Sequence, residues 1–80
     1  MIFKNEANER LFKRKVKYNI PYPDIVKKLE GKRNINGYFY TKDMVFNDFQ
    51  KPAEVDANIK KAIESLIAKA QREAKRLTDK

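Results

Sequence analysis

The stretch "NEANERLFKRKVKYNI", residues 5–20, decides the fold, because its two halves follow different rules. Residues 5–15 have good helix propensity. Phe12, Val16, Tyr18 and Ile20, however, alternate with Lys13, Lys15, Lys17 and Asn19 in the period of a half-buried strand. A helical start running into a strand over residues 15–20 satisfies both patterns and is the expectation here. As a helix, the stretch puts Arg10, Lys13, Arg14 and Lys17 on one face; as a strand, it lines up Lys13, Lys15 and Lys17. Either way at least three cations stand side by side.

Downstream, Asp24 is placed to cap a short helix over residues 25–30, which follows Pro21 and Pro23 and turns Ile25, Val26 and Leu29 inward. Gly31 falls where a left-handed residue ends such a helix. Asn36-Gly37 is a turn signal, and Tyr38-Phe39-Tyr40 are strand formers. Their alternation predicts Phe39 inward, with Tyr38 and Tyr40 outward as candidate base-stacking rings. Thr41 then caps a short helix carrying Val45, Phe46 and Phe49, or else Met44 to Phe46 form another strand; the helix is preferred.

From Pro52 the apolar positions Val55, Ile59, Ile63, Leu66, Ala70, Ala74 and Leu77 mark one face of a long helix, with Glu54 and Asp56 at its dipole-positive end. Their spacing repeats after eleven residues rather than seven, which disfavours a leucine zipper. The stripe weakens from Ile and Leu to Ala beyond residue 68, as expected of a helix whose far end overhangs its domain. Ala70, Ala74 and Leu77 there form a candidate self-association surface for a homodimer. The fold class expected is therefore α+β: a small, helix-rich single domain with a short sheet or hairpin. Residues 1–51 make its basic part and residues 52–78 a long C-terminal helix.

Composition narrows the function. The 80 residues contain no cysteine and no histidine, which removes disulfides, thiolate zinc sites and the commonest catalytic base. Serine occurs once, at Ser65, without a base beside it, and Asp43 with Asp48 makes at most a loose cation site. Catalysis, a cofactor and a metal are not expected. No apolar run approaches the roughly 20 residues that span a bilayer, and the first ten residues do not resemble a secretion signal. An intracellular, cytoplasmic location is expected.

Nineteen Lys and Arg face eleven Asp and Glu, a net charge of +8. Residues 10–33 hold nine cations against two anions, so nearly all of the excess lies in one segment. Such asymmetry is the electrostatic footprint of a protein that meets a polyanion. The leading expectation is a small non-catalytic protein that binds DNA or RNA through phosphates. Its contacts would be Arg10, Lys13, Arg14, Lys15 and Lys17 together with Lys27, Lys28, Lys32 and Arg33. The alternative is an interaction module or inhibitor that docks on an acidic protein surface.

Overall fold

The computed structural model describes the backbone of residues 2–78 and the side chains of residues 2–75. Among the described residues four helices follow one another: α1 (Glu6–Lys17), α2 (Tyr22–Lys28), α3 (Lys42–Asp48) and α4 (Ala57–Thr78). The expected α+β class is not what forms. Among the described residues there is no strand, and the extended segment contributes only one isolated antiparallel bridge, Arg33 to Phe39.

The deciding stretch is helical through Lys17. Asn5 caps it, its Oδ1 accepting the N–H groups of Ala7 (2.9 Å) and Asn8 (3.2 Å). Glu6 and Glu9 lie in the first turn and Arg14, Lys15 and Lys17 in the last, the order the helix dipole favours. What ends α1 is a Schellman turn. Asn19 takes a left-handed φ of 53°, the Ile20 N–H donates to the Lys15 carbonyl at 3.0 Å, and the Asn19 N–H donates to the Val16 carbonyl at 3.1 Å. This reversal carries Ile20 into the core while Val16 stays outside, 56 % exposed. The alternation that suggested a strand is the sum of a helix face and a chain reversal.

Helix α2 starts three residues earlier than expected, with Pro21 as cap and Asp24 inside its first turn. Gly31 and Gly37 both adopt φ +82°, as the turn readings required. Thr41 caps α3 as expected, its Oγ1 accepting the Met44 N–H at 3.2 Å. Helices α2 and α3 pack on each other, the Tyr22 ring at the start of α2 meeting the Phe46 ring near the end of α3, 6.1 Å between centroids.

Helix α4 begins at Ala57, not at Pro52. The backbone of the preceding residues is engaged elsewhere: the Asn8 amide donates to the carbonyls of Lys51 (3.3 Å) and Ala53 (2.8 Å), and its Oδ1 accepts the Val55 N–H (2.9 Å). Asp56 then caps α4, accepting the Asn58 N–H at 2.7 Å, while its own N–H donates to Asp48 at 2.7 Å. At the other end of α1 the Tyr18 hydroxyl accepts the Gln71 amide at 2.9 Å. With Asn8 beside Val55 and Tyr18 beside Gln71, helices α1 and α4 lie side by side and parallel.

The core is one cluster: Leu11 and Ile20, Ile25 and Leu29, Tyr40, Val45 and Phe49, and Val55, Ile59, Ile63 and Ile67. Phe12 closes its edge, its ring meeting Phe49 at 5.5 Å and 75°. On α4 the last fully buried residue described is Ile67; beyond it Ala70 is half-buried, Gln71 still meets Tyr18, and residues 72–75 are exposed.

Candidate functional site

At 100° per residue, Arg10, Lys13, Arg14 and Lys17 fall within an arc of about 100° on α1, facing away from the buried side that carries Asn8 and Leu11. All four are exposed. Two of them are already paired within the helix: Arg10 with Glu6 at 2.7 Å and Lys13 with Glu9 at 3.3 Å. The Arg10 guanidinium, hydrogen-bonded to the Glu6 carboxylate, holds that carboxyl below its ordinary pKa. Arg14 and Lys17 make no ion pair among the described residues. Arg14 lines a shallow groove between α1 and α4 whose walls carry Lys60 but also Glu54 and Glu64.

Lys15 does not join this face. It is buried, with its ammonium 3.8 Å from the centroid of the Tyr22 ring and 5.8 Å from that of Phe12. Desolvation lowers its pKa, and the ring faces take the place of a carboxylate partner. The hydroxyl of the same Tyr22 is buried without a hydrogen-bond partner among the described residues, and burial raises its pKa. Lys15 is thus a packing residue whose stem fills the space between α1 and α2.

The second group of cations sits at the end of α2 and in the loop that follows. Lys27, Lys28, Lys32 and Arg33 are all exposed, and none forms an ion pair among the described residues. The loop is a built turn rather than a slack connection. The Asn34 N–H donates to the Tyr38 carbonyl at 2.9 Å, and Asn34 Oδ1 accepts the N–H groups of Asn36 and Tyr38, both at 2.9 Å. Arg33 reaches back across it, Cζ lying 4.4 Å from the centroid of Phe39 and Nη1 donating to the Gly37 carbonyl at 3.3 Å.

The tyrosine assignment needs correction. Tyr38 is outward as expected, 67 % exposed, but Tyr40 is buried and Phe39 is 56 % exposed. The alternation does not hold: two neighbouring rings, Tyr38 and Phe39, both face out and Tyr40 turns inward. Tyr40 is held inside by its hydroxyl, which accepts the Asn58 amide at 3.2 Å. Burial above all, and then the Asp56 carboxylate, raise its pKa against the opposing effect of Asn58. A raised folded-state pKa leaves stability untouched below about pH 10 and removes it as pH climbs through the folded value. Tyr40→Phe is therefore expected to melt below the native chain at pH 8, by about 1 kcal/mol for the lost hydrogen bond, with the gap closing by pH 11. Thermal melts at the two pH values read this directly; a gap that widens at pH 11 would contradict the assignment.

Phe39 also forms one wall of a groove of about 730 Å³ between α2 and the loop, with Val26, Leu29 and Tyr40 as its apolar lining and Lys27, Lys42 and Glu30 on its rim. Neither Phe39 nor Lys42 stood out in the sequence as a site residue. The available signal was a second aromatic beside a cation pair, with no acidic residue between Gly31 and Lys42.

Of the self-association residues, Ala70 is half-buried and Ala74 exposed, while the side chain of Leu77 lies outside the described residues. Among the described residues no group of three carboxylates could hold a metal ion, and no helix is long and apolar enough to cross a membrane. Comparison with protein-family models, curated proteins and solved structures gave no match.

Proposed function

We propose that the chain is a non-catalytic nucleic-acid-binding protein that contacts phosphates through two basic surfaces. One is the outward face of α1, led by Arg14 and Lys17 with Arg10 and Lys13 beside them. The other is the α2 end and loop, with Lys27, Lys28, Lys32 and Arg33. The observation that carries this reading is that these six cations without ion pairs, Arg14, Lys17, Lys27, Lys28, Lys32 and Arg33, are all exposed. Repulsion among like charges on so small a protein calls for an external polyanion, and each phosphate neutralised releases counterions without requiring a sequence code.

A salt titration tests it. On duplex DNA each phosphate contact contributes about −0.9 to the slope of log K against log salt, so Arg14→Gln with Lys17→Gln is expected to flatten the slope by about 1.8. Lys15→Met should leave the slope unchanged, because that ammonium is turned onto Tyr22. An unchanged slope in the Arg14/Lys17 double variant would remove α1 from the interface.

Docking on an acidic protein is the second reading, and one observation favours it. Ile35 is 96 % exposed at the loop tip, an aliphatic side chain that suits a protein pocket. In that case Ile35→Ser would weaken capture by one acidic partner while the Lys and Arg variants bind nucleic acid no differently from the native chain.

A further inference from the structure

Resting on the nucleic-acid reading above, we propose that the groove between α2 and the 32–40 loop takes an unpaired nucleobase, so that the favoured partner is a single strand rather than a duplex. The groove is open to solvent, mostly apolar and lined by few charged groups, a make-up that suits a flat ligand. Val26 and Leu29 line it together with the exposed Phe39. Lys27 and Lys42 stand on the rim against a single carboxylate, Glu30. Such a site suits a ligand with a flat apolar face and a negative charge attached to it, which describes a nucleotide.

Arg33 strengthens the case. Stacked 4.4 Å from Phe39 and tied to the Gly37 carbonyl, its guanidinium is fixed before any ligand arrives, with most of its five N–H donors still unused. The turn that holds it is locked by Asn34, so little loop ordering remains to oppose binding. Base faces are covered in a duplex and open in a single strand, where aromatic rings and guanidinium planes stack on them.

The test compares three ligands at one salt concentration: an oligothymidylate strand, an abasic strand of equal length with the same phosphates, and a duplex. The native chain is expected to bind the oligothymidylate more tightly than the abasic strand. Phe39→Ala should lose about 5–150-fold on the oligothymidylate, the range for one base–aromatic stack, with the abasic strand and the salt slope unaffected. Phe39→Leu keeps the apolar packing of the loop and removes the π face, so it should lose affinity in the same selective way even if Phe39→Ala loosens the turn. Equal native affinity for the oligothymidylate and abasic strands, with a steep salt slope, would overturn the base site and leave phosphate binding standing. Failure to bind any of the three at low salt would overturn both.

Discussion

Phe49→Ala is expected to remove about 3–5 kcal/mol of folding free energy, the usual loss for a fully enclosed aromatic. Phe49 has no exposed surface, sits at the end of α3, and takes the edge of Phe12 from α1 against its own ring. It thereby joins two parts of the fold that the chain visits 37 residues apart. An 80-residue domain holds roughly 4–12 kcal/mol in all, so the urea midpoint should fall by about a quarter or more. Phe49→Leu, which leaves a smaller void, should cost much less. Helical circular dichroism against urea reads both variants, and a loss below about 1.5 kcal/mol for the alanine variant would mean that the cluster closes over the vacancy, unlike the packed core described.

The second large effect is polar. Asn8→Ala is expected to cost about 2–3 kcal/mol, because one buried side chain satisfies three backbone groups of the segment leading into α4. At roughly 4–8 °C per kcal/mol for a domain of this size, the melting temperature should drop by about 8–24 °C. The two carbonyls, only part-buried, can recover water, whereas the buried Val55 N–H cannot do so readily, which places the effect above that of a single hydrogen bond. Asn8→Asp sharpens the test. A carboxylate accepts the Val55 N–H but turns its second oxygen toward two carbonyls, so this variant should be less stable at pH 7 than at pH 4, where protonation restores a donor. Equal stability of Asn8→Asp at the two pH values would show that the amide donates to neither carbonyl.

Much of the helical outline was legible. Thr41, Gly31, Gly37 and the stripe from Ile59 to Ile67 all appear where local chemistry places them, because caps, left-handed turns and amphipathic faces depend on near neighbours. What failed depended on distant partners. Asn8 and Lys15 occupy the inner face of α1, one for the backbone of residues 51–55 and the other for the ring of Tyr22, and two polar residues inside make a helix look less amphipathic than it is. Tyr40 turned inward for Asn58, eighteen residues ahead. In the site, residue types were readable and their engagement was not, with one exception. Glu6 and Glu9 stand four residues before Arg10 and Lys13, the helix pairing order, so two of the four exposed α1 cations could have been recognised as internally paired. Instead the cation count stood for the interface, although only the exposed and unpaired cations are open to a phosphate.

The side-by-side seating of the first and last helices also sets a schedule. Helices α2 and α3 pack on each other and can meet once both are made, although α2 also packs on α4. Asn8, by contrast, must wait for Val55, 47 residues later. At roughly 5–20 residues per second of synthesis, that is an interval of about 2–9 s. For those seconds the segment with the chain's densest positive charge can rest only on Tyr22 and then Phe49, and the arrival of α4 is what completes its seat.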